Sequence, residues 1–410
     1  MTEISVNGRS YQAPKAPTVV ICIDGSEPGY IEKAIEAGVA PTFKRFMAGG
    51  ANLIAECVIP SFTNPNNLSI ITGRPPAVHG IAGNFFYDPA TGTEVMMNDP
   101  KFLRAPTILA GVQQAGFKVA MVTAKDKLRL LLSNGLDYSS GTAIAFSSEK
   151  ADKANKRENG IGDVCAFVGM GVPEVYSAGL SEFVFAAGVK LMEGLRPDLM
   201  YLSTTDYIQH KAAPGSKIAN DFYAMIDGYL ARLDALGCII VATADHGMND
   251  KHLADNSPDV LYLEPLFDGW VGKDAARVIL PITDPYVAHH GALGSFATVY
   301  VPANADVAGL IGKLKATAGV QVALTRSEAC AEFELPPDRI GDIVVISTRH
   351  KTLGTAPQKH DLSGLTEPLR SHGGLTEQRV PMVSNRRIEL PAGHRLRTFD
   401  VFAVALNHTS

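Results

Sequence analysis

Three short apolar segments of the chain each end in an aspartate, and two of these aspartates have a histidine close by. Asp24 ends VVICID, Asp206 ends MYLSTTD and Asp245 ends VATAD. His246 follows Asp245 directly, and His210 lies four residues after Asp206, so a helix there would present both side chains on one face. A single aspartate at a strand end is often a helix cap. Three of them, two with a histidine in chelating reach, favour a metal site.

His372, in the segment RSHGG, is a further candidate ligand. The glycines that follow it allow the backbone to bring its imidazole close to other groups. On local sequence alone, the adjacent His289 and His290 in YVAHHG compete with it. With His372, the set contains six oxygen or nitrogen ligands. Such a set suits two borderline divalent ions such as zinc, with three ligands each and open positions for water or substrate.

Residues 59–73, IPSFTNPNNLSIITG, place a polar cluster between two apolar segments. Pro65 near a first helical turn makes Thr63 a candidate N-cap residue. A hydroxyl at a helix amino terminus also faces free N–H donors, a setting that suits an anion such as phosphate. Two metal ions about 4 Å apart can bind the attacking and leaving groups of phosphoryl transfer and lower the pKa of a bound hydroxyl. Beside such a centre, we interpret Thr63 as a nucleophile.

The elements that must position these residues alternate between strand-like and helix-like stretches. The strand-like segments cover residues 18–25, 117–126, 198–206 and 238–247, and the predicted helices cover residues 31–48, 107–115, 180–195 and 217–236. The alternation predicts βαβ units and a mostly parallel sheet with helices on both faces. The polar residues then lie at the carboxyl ends of the strands, where open α/β sheets bind ligands.

The pattern changes after His246. Residues 297–333 are typical of a strand, a helix and a second strand, and a stretch with several prolines, 255–285, leads to them. We therefore expect a smaller α+β cap domain over residues 251–371, inserted into a metal-binding core of residues 1–250 and 372–410. The length of 410 residues and the hydrophobic content of 46% suit a large core. The polar segment 147–160 is predicted to be a solvated loop or helix face.

Charge and composition argue against several classes of partner. The formal charge is −5 and no basic segment is interleaved with aromatics, so we expect neither nucleic acid nor a membrane surface as a partner. No apolar segment approaches the roughly 20 residues that span a bilayer, and we expect a cytoplasmic protein. The five cysteines show no CxxC spacing. Cys22, Cys57 and Cys238 lie in or beside apolar segments and are predicted to be core residues.

Five segments of the sequence occur in the order found in the alkaline phosphatase superfamily. They are ICIDG, PSFTNPNNLSIITGRPPAVHGIAGNFFYDP, TTDYIQH, TADHG and SHGG, and the resemblance covers most of the chain. The longest resembles the motif of the nucleotide pyrophosphatase/phosphodiesterase branch. The resemblance implies a three-layer α/β sandwich with a mostly parallel sheet and an inserted α+β cap domain. It also implies a hydrolase that uses two zinc ions, or another divalent transition metal.

The resemblance further implies how the candidate ligands are shared between the two ions. It implies that one zinc is held by Asp24, Asp245, His246 and Thr63. It implies that the other is held by Asp206, His210 and His372. On this pattern Thr63 is the nucleophile and becomes phosphothreonine during the reaction.

Other motif residues take roles only through the resemblance. Asn84, in HGIAGNFF, is implied to donate a hydrogen bond to a phosphoryl oxygen. The family pattern favours His372 over His289 and His290, whose roles stay open. His79 belongs to the motif but is predicted to be structural. The remaining histidines lie in polar segments without chelating spacing and are predicted to be surface residues: His252, His350, His360, His394 and His408.

Two lysines bear on the substrate. Lys125 and Lys127, in TAKDKLR, end a strand-like segment with i, i+2 spacing, so both side chains are expected on one side, with a solvated basic edge as the alternative. The resemblance to members that cleave carbon–phosphorus bonds implies that these lysines hold a substrate carboxylate. Cations there would stabilise the enediolate that forms as the bond breaks. We therefore expect hydrolysis of phosphonoacetate to acetate and phosphate, a reaction of phosphonate catabolism.

Two other functions stay open. A nucleotide pyrophosphatase or phosphodiesterase would use the same metal site on P–O bonds and would need an aromatic slot for a base, which could come from Phe62, Phe85, Phe86 and Tyr87. The two lysines argue against it, since a nucleoside brings no carboxylate to them. A non-catalytic metal-binding scaffold is disfavoured because neither the ligand set nor the nucleophile has a gap. The oligomeric state stays open, a homodimer included.

Overall fold

The computed structural model describes residues 3–282 and 292–410, and its centre is a seven-stranded sheet. Six strands run in one direction, and Arg379–Ser384 runs against them. The order across the sheet is Ala51–Glu56, Arg379–Ser384, Ile239–Thr243, Thr18–Cys22, Leu199–Ser203, Val119–Thr123 and Ala143–Ser147. The mostly parallel α/β sheet predicted from the sequence is therefore confirmed.

Both faces of this sheet are buried, which explains the nearly continuous apolar character of its central strands. In the strand Thr18–Cys22, Val20 and Cys22 pack into one hydrophobic cluster, and Val19 and Ile21 pack into the other. All five cysteines are free, and three of them are buried as predicted: Cys22, Cys57 and Cys238.

Helices form the outer layers of the sandwich. One face carries Pro28–Glu36, Pro41–Gly49, Val164–Val168, Gly179–Gly194 and Lys217–Ala235. The other carries Thr63–Thr72, Ile108–Gln114, Asp126–Leu132 and Val401–Asn407. Shorter helices are Pro76–His79, Lys156–Asn159 and Tyr207–Lys211, and the 3₁₀ turns are Pro100–Phe102, Ala151–Lys153, Pro337–Arg339, Pro357–Lys359, Leu375–Glu377 and Thr398–Asp400. None of the helices in the described residues is long and apolar enough to cross a bilayer.

A second, antiparallel sheet lies in the later part of the chain. Its order is Arg277–Ile279, Phe296–Tyr300, Ile343–Ser347 and Val320–Thr325. Its helices are Leu263–Val271, Val307–Lys315 and Arg326–Phe333, so the strand, helix and strand predicted for residues 297–333 are present. One hydrophobic cluster runs from the main sheet into this second sheet. The proposed cap boundaries at residues 251 and 371 stay a prediction.

Four two-stranded pairs complete the described strands. They are Glu3–Val6 with Arg9–Gln12, Phe85–Asp88 with Thr93–Met96, Asn249–Asp250 with Arg370–Ser371, and Val260–Tyr262 with Thr352–Gly354.

Two local predictions were wrong. The helix expected over residues 31–48 is two helices, Pro28–Glu36 and Pro41–Gly49. Gly38 takes a positive φ of 76° between them, and Pro41 cannot donate a hydrogen bond to a continuing helix. The segment 147–160 is not simply a solvated face, because Asn159 is buried and its amide donates to the carbonyl of Ala145 at 2.8 Å.

A buried ion pair lies beside the short pair of Asn249–Asp250 and Arg370–Ser371. Lys251 Nζ is 2.9 Å from Glu377 Oε1, and both side chains are fully buried. Lys251 also donates to the carbonyl of Arg349 at 2.6 Å. The pair therefore ties the segment that follows His246 to the segment that follows His372.

Replacing Lys251 with methionine should lower the free energy of unfolding of the metal-free protein by about 3–5 kcal/mol, because Glu377 keeps a buried charge without its partner. Urea unfolding measures the loss. The same substitution at Lys217, whose ion pair with Asp221 is exposed, is the control and should leave stability unchanged. Equal stability of the Lys251→Met variant and the unmodified protein would contradict this interpretation of the pair.

Candidate metal centre

The parallel register brings the three aspartates to one edge of the sheet. Cys22 is paired with Thr243 on one side and with Ser203 on the other. Asp24, Asp245 and Asp206 each follow one of these neighbouring strand ends by two or three residues. Asp24 and Asp245 are buried, and Asp206 is partly buried. The sheet, rather than a flexible loop, therefore sets the spacing of the carboxylates.

The first group of ligand atoms contains Asp24, Asp245 and His246, whose donor atoms lie within 4.8 Å of one another. Nε2 of His246 is 3.2 Å from Oδ1 of Asp24 and 3.8 Å from Oδ2 of Asp245. The hydroxyl oxygen of Thr63 is 3.3 Å from the same nitrogen. Thr63 is therefore in place to share a metal ion with these residues.

The second group adjoins the first. Asp206, His246 and His372 offer donor atoms within 4.8 Å of one another. Oδ2 of Asp206 is 2.9 Å from Nε2 of His210 and 3.6 Å from Nε2 of His372. The His246 and His372 rings stack with their centroids 3.6 Å apart. The six predicted ligands thus lie together, and their division between two ions stays a prediction.

Backbone carbonyl groups orient all three imidazoles. Each ring uses Nδ1 toward a carbonyl, which leaves Nε2 for a metal ion. The contacts are His246 to Gly247 at 2.9 Å, His210 to Arg370 at 2.7 Å and His372 to Ser61 at 2.7 Å. This shared pattern is the arrangement expected of metal-binding histidines.

The electrostatics of the cluster fit cations. Burial, and then the neighbouring Asp245 and Asp206, raise the pKa of Asp24 well above its usual value. Burial alone would lower the pKa of His246, but the surrounding carboxylates raise it to about 10. Among the described residues, no group donates a well-aligned hydrogen bond to the buried Oδ1 of Asp24. An acceptor without a well-aligned donor, in a buried set of carboxylates and imidazoles, fits a divalent metal ion.

Thr63 is not an N-cap residue, which was the alternative to a nucleophile in the sequence analysis. The helix Thr63–Thr72 begins at Thr63, and its N-cap residue is Phe62, which has extended backbone dihedral angles. Thr63 therefore takes the first helical position, and its hydroxyl faces His246. A role in capping no longer competes with the role of nucleophile.

A cavity of about 580 Å³ adjoins the cluster. The predicted site residues that line it are Asp24, Thr63, Asn84, Lys125, Lys127, Asp206, His210 and His372. Asn84 is half-buried, and its Nδ2 reaches the carbonyl of Ile282 only at 3.5 Å. The candidate nucleophile, the two lysines and most of the candidate metal ligands therefore share one cavity.

The reason given for the two lysines was wrong, although both line the cavity. The strand ends at Thr123, and Lys125 is the N-cap residue of the helix Asp126–Leu132, which contains Lys127. The i, i+2 geometry of a strand therefore does not apply to them. Lys125 Nζ lies 5.6 Å from the centre of the Tyr176 ring.

Sequence reasoning missed two tyrosines of the cavity. Tyr176 lies in an irregular loop with no motif to mark it, whereas Tyr207 directly follows Asp206 and could have been found from its position. Their ring centres are 6.2 Å apart. Met96 and Asn98 also line the cavity.

The aromatic slot expected for a nucleotide base is not formed by the predicted residues. Phe62 lines the cavity but is buried against Phe296 and His372. Phe85 and Tyr87 line a separate cavity of about 650 Å³ beside the second sheet. Phe86 is buried and packs against Phe102.

The remaining histidines behave as predicted where the structure describes them. His79 is buried, its Nε2 lies 2.9 Å from Oγ of Ser69, and its Nδ1 accepts from the N–H of Ile81. Burial, and then Arg339, lower its pKa to about 3, which suits a neutral structural residue. His289 and His290 lie outside the described residues. The five predicted surface histidines are exposed or half-buried: His252, His350, His360, His394 and His408.

A family model described as type I phosphodiesterase / nucleotide pyrophosphatase matches residues 18–375. The chain belongs to this family. The type I phosphodiesterase / nucleotide pyrophosphatase family is metal-dependent and is part of the alkaline phosphatase superfamily. The protein is therefore a hydrolase of this family.

Solved structures extend the comparison to the three-dimensional fold. Two crystal structures of phosphonoacetate hydrolase from Sinorhizobium meliloti 1021 match with a TM-score of 0.97 and 61% identity, over 100% of this chain and 99% of theirs. One is a complex with phosphonoformate and the other a complex with phosphonoacetate. Murine ectonucleotide pyrophosphatase / phosphodiesterase 5, in complex with AMP, matches with a TM-score of 0.65 over 96% of both chains. At 17% identity, this last match shows a shared fold alone.

Curated relatives match over a short part of the chain. A pyrophosphatase/phosphodiesterase of Schizosaccharomyces pombe is 31% identical over 96 residues, which is 23% of this chain and 19% of that protein. An ectonucleotide pyrophosphatase/phosphodiesterase 1 of Saccharomyces cerevisiae is 35% identical over 81 residues, 11% of its length. The matched part thus spans a fifth or less of these two relatives.

Metal binding should release protons, and metal affinity should rise with pH. The pKa of His246 is about 10 in the metal-free protein, so its imidazole is protonated at neutral pH and a metal ion must displace that proton. His372, whose pKa is lowered by burial and by His246, contributes none. Calorimetric zinc titrations in buffers of different ionisation enthalpy count the released protons.

The exposed His350 provides the control, since His350→Asn should leave the proton count unchanged. Metal binding without proton release near neutral pH would contradict the charge state assigned to His246.

Proposed function

We propose that the protein hydrolyses the carbon–phosphorus bond of phosphonoacetate to give acetate and phosphate. The observation that carries this proposal is that Lys125 and Lys127 line the same cavity as Thr63 and the Asp/His cluster. A phosphonate group would bind at the cluster, and a carboxylate on the same small molecule would then lie beside the lysines. The relative at 61% identity, crystallised with phosphonoacetate, supports this choice of substrate.

The proposed metal ligands fall into two sets. The residues that would hold one divalent ion, zinc by expectation, are Asp24, Asp245, His246 and Thr63. Those that would hold the other are Asp206, His210 and His372. Such ions supply positive charge to phosphoryl oxygens and lower the pKa of a bound hydroxyl or water.

In the first step, Oγ1 of Thr63 attacks phosphorus in line with the carbon, and the hydroxyl releases its proton to solvent, from which the carbon later takes one up. The phosphorus–carbon bond breaks, and its electron pair moves through the methylene carbon onto the carboxylate. Lys125 and Lys127 stabilise the enediolate charge that grows during this step. Asn84 donates a hydrogen bond to a phosphoryl oxygen. Protonation at carbon then gives acetate.

In the second step, water attacks the phosphothreonine. The bond between phosphorus and the Thr63 oxygen breaks, phosphate leaves, and the hydroxyl regains its proton. The sum is the addition of one water molecule across the carbon–phosphorus bond. A place in phosphonate catabolism follows from this reaction, and a cytoplasmic location stays a prediction from the sequence.

Hydrolysis of a nucleotide phosphodiester is the second candidate. One observation favours it: the Tyr176 and Tyr207 rings, 6.2 Å apart, lie in the cavity wall, and aromatic rings are groups on which a base can stack. A nucleoside has no carboxylate that would pair with the two lysines. The two substrates therefore depend on different residues of the same cavity.

Phosphate release from phosphonoacetate should be fast in the zinc-loaded enzyme, and a p-nitrophenyl nucleotide diester should react slowly. The variants Lys125→Ala and Lys127→Ala should each lower kcat/KM for phosphonoacetate by about 100-fold, because each removes a cation from developing charge. Activity on the diester should change little. The control Lys101→Ala alters an exposed lysine and should affect neither substrate.

A different outcome would identify a phosphodiesterase. Faster turnover of the diester, with both lysine variants unaffected, would leave the metal centre in place and overturn the proposed substrate.

A further inference from the structure

Asn67 lies one helical turn after Thr63 and takes no part in the reaction steps above. Its side chain is fully buried inside the helix Thr63–Thr72. A buried amide must satisfy both its donor and its acceptor groups, so its partners show what it does.

The contacts of Asn67 fix which way its amide points. Oδ1 accepts hydrogen bonds from the Tyr201 hydroxyl at 2.7 Å and from the Ser203 hydroxyl at 3.0 Å. Nδ2 donates to Oδ2 of Asp245 at 3.0 Å and to the carbonyl of Thr63 at 3.2 Å. A backbone carbonyl can only accept, so the amide nitrogen must lie on the side of Thr63, which is also the side of Asp245. One side chain therefore contacts both a candidate metal ligand and the backbone of the candidate nucleophile.

Asn67 donates a side-chain hydrogen bond to Oδ2 of Asp245. The other oxygen, Oδ1, accepts from the backbone N–H groups of Gly25 at 3.2 Å and His246 at 3.1 Å. A neutral donor stabilises the carboxylate without adding a proton that a metal ion would have to displace. It also prevents rotation of the carboxylate away from the cluster.

The neighbouring Asn66 offers a natural comparison. It is equally buried in the same helix, but its hydrogen bonds within the described part of the chain go to backbone groups of Val58, Pro60 and Phe62. Asn66 therefore holds the chain that leads into the helix, whereas Asn67 reaches across to Asp245.

We propose that Asn67 is a positioning residue, which orients the Asp245 carboxylate toward the metal centre and couples it to the helical turn that carries Thr63. The inference rests on the proposed function in one respect, namely that Asp245 binds a metal ion. Loss of such a supporting hydrogen bond typically lowers metal affinity by about 10-fold to 100-fold.

The test measures zinc affinity by competition with a chromophoric chelator, and thermal unfolding in EDTA, for unmodified protein and three variants. Asn67→Ala should lower the affinity of one of the two ions by about 10-fold to 100-fold. In EDTA, Asn66→Ala should lower the unfolding temperature by about as much as Asn67→Ala does. Its zinc affinity should stay close to that of the unmodified protein. Tyr201→Phe keeps Asn67 but removes one bond that orients it, and should weaken zinc binding in the same direction by less.

Cobalt substitution adds a spectroscopic measurement. Because Asp245 would be held less firmly, the visible absorption spectrum of the cobalt-loaded Asn67→Ala protein should differ from that of the unmodified protein, and that of Asn66→Ala should not.

Two results would overturn the inference. One is unchanged zinc affinity in both Asn67→Ala and Tyr201→Phe. The other is an equal loss of affinity in Asn67→Ala and Asn66→Ala, which would show a general effect of destabilising the helix. Failure of the unmodified protein to bind zinc would instead refute the proposed metal centre, so the two failures are distinguishable.

Discussion

The structure depends on holding three carboxylates close together at a buried place. Asp24, Asp206 and Asp245 repel one another there, and burial removes the water that would screen them. The pKa of Asp24 is raised for this reason, whereas histidines lower that of Asp206 although burial alone would raise it. Only cations relieve the repulsion fully. The arrangement is therefore unfavourable on its own, and the divalent ions that we propose to bind here would make it favourable.

Rigid backbone contacts hold the candidate ligands together despite the repulsion between the carboxylates. Parallel register fixes Asp24 and Asp245, and two short strands, Asn249–Asp250 and Arg370–Ser371, bring His372 to them from a distant part of the sequence. The fully buried ion pair of Lys251 and Glu377 lies behind these strands. Each support acts within a few residues of a candidate ligand, so the side chains would be held in place before a metal ion binds. Such preorganisation reduces the reorganisation needed during the reaction.

Much of this could be predicted from the sequence, because strand ends and local spacing are visible in it. The helix that presents Asp206 and His210 together was expected from their i, i+4 spacing. Features that depend on distant contacts were not visible. The choice of His372 needed a resemblance to known proteins, since its position follows from a two-residue strand pairing. The contact of Asn67 with Asp245 could not be predicted from local sequence, because the two residues are 178 positions apart. Lys125 was placed in a strand, because a helix start after an apolar strand leaves little trace in local composition.

The proposed reaction requires that Thr63 accepts the phosphoryl group. The most direct test is to stop the zinc-loaded enzyme with acid during turnover of phosphonoacetate, digest it and locate covalent phosphate by mass spectrometry. The account predicts phosphate on Thr63 and none in Thr63→Ala, which should also lose turnover while retaining both metal ions. Steady turnover by Thr63→Ala, or phosphate on another residue, would contradict it.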